Sequence, residues 1–169
     1  LWYYKKFCNL SAMRKILVSW IGNTDLRAPL QHAEIGFGPV AQALAAREFD
    51  HVYLLTDFSK ETVDPYIDWL KKRATTKLSV HRVHLSSPMN FGEIYKAAVD
   101  SCEKALGEMD RASSFTFHLS PGTPAMAAVW IILAKTRFSA ELIESSFQHG
   151  VQTASVPFDI SADFIPDLL

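Results

Sequence analysis

The sequence predicts an α/β fold of three layers, a mainly parallel β-sheet between two layers of helices, with an antiparallel pair at its C-terminal edge. Three observations carry this reading. Short apolar runs of strand length recur along the chain, stretches of helical content follow most of them, and polar or glycine-bearing loops separate the two. Strands that are apolar along their whole length are those covered by helices on both faces.

Residues 15–21 (KILVSWI) form the first such run, and Gly22, Asn23, Thr24 and Asp25 end it, so it reads as the first central strand entering a polar loop. That loop is expected to continue through residue 35, up to Gly36-Phe37-Gly38-Pro39. Proline suits a first helical position, and VAQALAAREF then has helical content. Residues 51–57 (HVYLLTD) give a second buried strand. Ser59 opens the helix ETVDPYIDWLKKRA, with Pro65 expected in its first turn. Residues 78–86 alternate as a third strand, and Asn90 with Glu93 makes a capping-box start for a helix ending near Leu106. A fourth strand over 114–119 leads into an alanine-rich apolar helix from Thr123 to about Arg137. Two last strands, 141–147 and 151–158, meet across His149-Gly150. The whole is a Rossmann-like three-layer sandwich.

A chain of 169 residues, 49% hydrophobic and 21% charged, suits one domain with one substantial core. Its 17 basic and 18 acidic residues leave a net charge of -1, which gives no excess of cations to neutralise a run of phosphates on duplex DNA. Two cysteines, Cys8 and Cys102, make neither a disulfide framework nor a CxxC pair, which fits a reducing cytoplasm. No apolar run reaches the roughly 18 residues of a membrane helix. Residues 1–12 (LWYYKKFCNLSA) lack the apolar centre of a signal peptide and read as an added or upstream-start remnant before a native start at Met13, so the single domain is expected over 13–169. Residues 158–169 stop while still apolar, without a helix stop signal or a polar tail, as in a chain cut from something longer.

In an open parallel sheet, ligands settle beyond the carboxyl ends of the strands, where the strand order reverses. The loops to inspect are therefore 19–25, 56–59, 87–90 and 120–124. Serine, threonine, asparagine, aspartate and glycine dominate three of them, the groups of a binding surface more than of a reaction centre. In FHLSPGTPAM, Thr123 suits an N-cap and Pro124 a first helical residue, which leaves the amides of Ala125 and Met126 facing the crevice. Such a start attracts an anion, and equally serves an ordinary capped helix with water at its end. The candidate ligand-binding residues are Ser19, Trp20, Gly22, Asn23, Thr24 and Asp25 after the first strand, and Thr56 and Asp57 after the second. Ser120, Pro121, Gly122, Thr123 and Met126 complete them after the fourth. No catalytic residue, metal ligand or cofactor is assigned.

Other chemistries fit less well. His118-x-Ser120-x-Gly122 has the strand, turn and helix of a hydrolase nucleophile elbow, but the elbow needs a small residue where His118 stands, and Pro121 has no N–H for an oxyanion hole. Gly36-Phe37-Gly38-Pro39-Val40-Ala41 matches a dinucleotide fingerprint, with Asp57 at the expected distance, yet it does not directly follow the first strand. His81 and His84, three apart on a strand, point to opposite faces. No P-loop is present. Trp69 and Trp130 sit among apolar neighbours as core residues do.

SWIGNTD after the first strand, with FHLSPGTPAM and its apolar helix, resembles the CRISPR-associated Rossmann-fold (CARF) domain, in particular the N-terminal sensor domain of sigma-54-dependent transcriptional activators, the group that includes the regulator of the RNA-terminal phosphate cyclase operon. The resemblance covers residues 13–169. It implies a homodimer whose two crevices join into one pocket for a cyclic oligoadenylate or another RNA-derived nucleotide, with Gly22, Asn23 and Thr24 on one wall and Gly122 and Thr123 on the other. It also implies an ATPase that acts on sigma-54 RNA polymerase, and a helix-turn-helix for promoter DNA, in further domains outside this sequence. Ser120 stands where the family often has threonine, Pro121 replaces a glycine and Pro124 replaces a lysine. The missing lysine counts against the ring-cleaving activity of some relatives, and a ring nuclease that uses hydroxyls of Ser19, Thr24 or Thr123 remains the enzymatic alternative to a sensor. A dimerisation module without a small ligand is a third.

Overall fold

The computed structural model describes residues 13–109 and 112–157. The expectations for residues 1–12 and 158–169 lie outside them. Along the chain the elements are β1 (Arg14–Trp20), α1 (Asn23–Ile35), α2 (Pro39–Ala46), β2 (His51–Thr56), α3 (Lys60–Lys71), β3 (Lys77–Arg82), α4 (Phe91–Gly107), β4 (Ser113–His118), α5 (Pro124–Thr136), β5 (Ala140–Ser146) and β6 (Gly150–Thr153).

The sheet has the order β3-β2-β1-β4-β5-β6. Its first five strands are mutually parallel and β6 returns antiparallel beside β5, pairing Ile143 with Thr153. This is the Rossmann-like α/β sandwich that the alternation of elements predicts. The order runs outward in one direction from β1 to β3 and in the other from β4 to β6, so the reversal falls between β1 and β4.

Side chains alternate along each central strand between two cores. Ile16, Val18 and Trp20 of β1, Tyr53 and Leu55 of β2, and Phe115 and Phe117 of β4 face α4 and α5, where they meet Ile94, Ala98, Val129 and Trp130. Leu17 of β1 and Val52 and Leu54 of β2 face the other way, onto Val40 of α2 and Val63, Tyr66, Ile67 and Leu70 of α3. Each large side chain so buried contributes roughly 1.5–3 kcal/mol. Trp130 stacks on Phe117 with ring centres 4.6 Å apart, as its apolar surroundings predict.

Four local expectations are corrected. Residues 23–35 are not loop but helix. Their polar composition and Pro29 hide it, and the helix accommodates the proline with a kink at Gln31 (φ -124°, ψ 18°) while burying only Asp25 and Ala28 completely. Pro65 lies beyond the first turn of α3, which starts at Lys60 behind the Ser59 cap. At α4, Asn90 caps the Glu93 amide at 3.1 Å, but the Glu93 carboxylate accepts from the Ser86 amide at 2.6 Å instead of returning to Asn90. The last strand is shorter than expected, ending at Thr153, and residue 158 of its expected span is outside the described residues. No described helix is long and apolar enough to cross a membrane.

Candidate functional site: a crevice at the reversal of strand order

Beyond the carboxyl ends of β1 and β4, the chain turns directly into helices on both strands. After Trp20 only Ile21 and Gly22 precede α1, and Gly22 takes the extended N-cap conformation (φ -99°, ψ 170°). After His118, residues 119–122 lead to Thr123, which caps α5 by accepting from the Met126 amide at 3.3 Å. As the opening residues of α1, Asn23 and Thr24 have amides without intrahelical acceptors. Pro124 has no amide to leave unpaired, so Ala125 supplies the corresponding group on α5. Two positive helix ends thus converge on one crevice.

The two loops touch through their glycines. A Cβ on Gly22 would stand 2.8 Å from the Gly122 nitrogen and 3.5 Å from the Pro121 Cα. Gly122 itself has φ 91°, a conformation that favours glycine. The cavity beside this contact holds about 320 Å³, at the lower end of the range for small-molecule sites.

Of the candidate residues, Gly22, Asn23, Thr24, Asp25, Asp57, Ser120, Pro121, Gly122, Thr123 and Met126 line this cavity. Ser19, Trp20 and Thr56 do not: all three are buried beneath it. The Ser19 hydroxyl donates to the Trp20 carbonyl at 3.0 Å, and the Thr56 hydroxyl accepts from the Phe58 amide at 3.2 Å. The alternation of β1 explains Trp20, whose ring belongs with Ile16 and Val18 in the core. Ile21, Pro39, Phe58 and Pro88 also line the cavity. Phe58 and Pro88 lie in two strand-end loops that were already candidates by position. Pro39 has no sequence signal, because only the unrecognised α1 carries the chain back to this spot.

Several lining residues spend their polar groups internally. Asp25 is completely buried. One carboxylate oxygen accepts from the Gly22 amide at 2.9 Å and the other from the Val40 amide at 3.0 Å, so this side chain ties the start of α1 to the start of α2. Burial pushes its pKa up to about 6, against the opposing pull of the two amides. Gly38 is required beside it, since a Cβ there would lie 2.9 Å from an Asp25 oxygen. The dinucleotide fingerprint therefore has its helix start filled by the chain's own carboxylate.

Thr123 donates its hydroxyl to the Pro88 carbonyl at 2.7 Å, which draws the loop after β3 across two strands to the mouth of the crevice. Ser120 accepts the Ser145 amide at 2.6 Å and so faces β5. His118, beneath it, contacts Ser145 at 2.7 Å and Ser19 at 3.4 Å, and burial lowers its pKa to about 3. It is a neutral link among three strands. Asn23, Thr24 and Asp57 line the cavity and have no side-chain hydrogen bond or ion pair to another described residue. No lysine, arginine or histidine lines it, and the described residues contain no metal-binding cluster.

No protein-family model matches the chain, and no curated protein matches it. Among solved structures, it is similar to Enterococcus italicus Csm6 bound to cyclic hexa-2′-fluoro-hexa-dAMP, at 16% identity and a TM-score of 0.65, over 90% of this chain and 36% of that one. A second similar structure is a type III CRISPR defence DNA nuclease activated by cyclic oligoadenylate, at 20% identity and a TM-score of 0.48, over 76% of this chain and 18% of that one. The chain thus spans about a third of the length of the Csm6 chain, and the likeness is one of fold.

Proposed function

We propose that this domain is a CARF-type sensor that binds a cyclic oligoadenylate, or a related RNA-derived nucleotide, at the crevice between the loops after β1 and β4. The observation that carries the reading is the convergence of two helix starts at the reversal of strand order, in a cavity whose lining is mostly glycine, proline and uncharged polar residues and holds no cationic side chain. The motif resemblance and the fold shared with a Csm6 that binds a cyclic nucleotide support the class of ligand. A ring of several nucleotides exceeds a cavity of about 320 Å³. One crevice therefore holds part of the ring, and a homodimer that joins two crevices holds the rest.

The domain acts as a sensor, in this reading, because the cavity offers no lysine, arginine or histidine to stabilise charge during phosphodiester cleavage. In the finer reading, supported by SWIGNTD and FHLSPGTPAM, it is the regulatory part of a sigma-54-dependent activator. Ligand then shifts the arrangement of the dimer and thereby controls an ATPase and DNA-binding region.

Thermal melting against cyclic oligoadenylates of several ring sizes, linear oligoadenylates and RNA ending in a 2′,3′-cyclic phosphate tests the ligand class. At least one is expected to raise the melting temperature, and failure of all of them overturns the nucleotide reading. Mass analysis after incubation separates sensor from nuclease: unchanged ligand supports the first, linear products the second. A Walker motif and a GAFTGA-like loop in the gene beyond Leu169 support the activator reading, and a stop codon there ends it.

A further inference from the structure

The crevice is not uniform from end to end. β1 and β2 pair side by side as far as Trp20 and Leu55, and the Ile21 amide still bonds the Leu55 carbonyl at 2.9 Å, so the turns holding Gly22 and Asp57 leave neighbouring strand ends. On the β4 side are the glycine contact and the helix starts. On the β2 side are Asp57, exposed and unpaired among the described residues, and Phe58, which lines the same cavity and is half-buried against the core on the α2 and α3 side. Their backbone is held in place, since the Phe58 amide is bonded to the Thr56 hydroxyl at 3.2 Å and Ser59 caps α3. Asp25 is the other lining carboxylate and is spent on two amides. Asp57 is thus the one formal charge that the lining presents to a ligand, and its sign is wrong for phosphate.

Resting on the proposed nucleotide reading, we infer that Asp57 and Phe58 form the nucleoside end of the crevice, where the Asp57 carboxylate accepts a hydrogen bond from a ribose hydroxyl or the adenine amine and the Phe58 ring lies against the base. The ligand's phosphate is directed to the other end, toward the starts of α1 and α5. An ionised acceptor repels phosphate and rewards a donor, so it sets the orientation of each nucleotide.

Isothermal titration of cyclic hexaadenylate into the wild-type protein and D57N tests this by sign. The ligand is an anion. Loss of a negative charge by field alone would tighten binding, whereas exchange of a charged acceptor for the neutral amide oxygen of asparagine weakens a direct bond, by about tenfold. Tenfold weaker binding by D57N, with an unchanged melting temperature without ligand, is expected. Unchanged or tighter binding overturns the inference while leaving the nucleotide reading intact, and no binding by the wild type overturns both. Rings with 2′-deoxyribose or with inosine identify the donor: the ring that lacks it binds wild type and D57N alike. If D57N weakens both altered rings as it weakens the parent, the inference is overturned. Phe58→Leu is expected to weaken the parent ring several-fold, as loss of one stacked base does.

Discussion

Gly22 stands so close to Gly122 that a Cβ on the first would lie 2.8 Å from the amide nitrogen of the second. The loops after β1 and β4 are therefore joined backbone to backbone, and the crevice takes its shape from that contact. Gly22→Ala forces apart two main chains that have no flexible end to move. It is expected to destabilise the protein by about 1–3 kcal/mol, read by denaturant titration. Gly107→Ala, where a Cβ meets nothing within 4 Å, serves as the control and should be neutral or slightly stabilising.

Asp25 makes stability depend on pH in an unusual direction for a carboxylate. Its folded pKa, about 6, lies above its ordinary value of 3.8. The protonated form is favoured by folding, so its stabilisation is full below pH 3.8 and is lost as pH rises through 6, in total about 3 kcal/mol. Asp25→Ala also strands the Gly22 and Val40 amides. The stability gap between wild type and this variant should widen as pH falls from 7 to 4, and a narrowing gap would contradict the burial of this carboxyl.

His118 works in the opposite sense. Burial lowers its pKa to about 3, so its contribution is present above pH 6.5 and is lost as pH falls toward 3, up to about 5 kcal/mol. His51 and His81, also lowered by burial, add to this side. The gap between wild type and His118→Gln should narrow over the same acid range in which the Asp25 gap widens. Urea titrations at half-unit steps from pH 7 to 4 follow both.

Thr123 is expected to act on the crevice by position. Its hydroxyl is engaged by the Pro88 carbonyl and the Met126 amide. Thr123→Val loses both bonds at a cost of about 1–2 kcal/mol and frees the loop at 87–90, which amide hydrogen exchange detects as faster exchange there. Thr123→Ser keeps both and should stay within about 0.5 kcal/mol of wild type.

Much of this was legible in the sequence. Strands β1 and β2 are apolar on both faces, β4 carries Phe115 and Phe117 on one, and Ser59, Asn90 and Thr123 each cap the helix they precede. The placement of the crevice followed from topology, since strand ends and their loops are local features. Helix α1 was not legible, because a polar stretch with a proline carries little periodic signal and is held by burial of Asp25 and Ala28. Nor could the sequence say which polar groups stay open. Asp25, Ser120 and Thr123 have the chemistry of ligand contacts, but partners distant in the chain engage them, Val40, Ser145 and Pro88 respectively.

The most direct test of the central claim is isothermal titration of cyclic oligoadenylates into the wild-type protein and into the variant carrying Asn23→Ala and Thr24→Ala. Both residues line the cavity, and their side chains make no hydrogen bond or ion pair to another described residue. The proposed sensor predicts saturable binding of one ring per two chains, weakened about tenfold or more in the variant with little change in its melting temperature. Equal affinity in the two proteins, or no binding to the wild type, would contradict it.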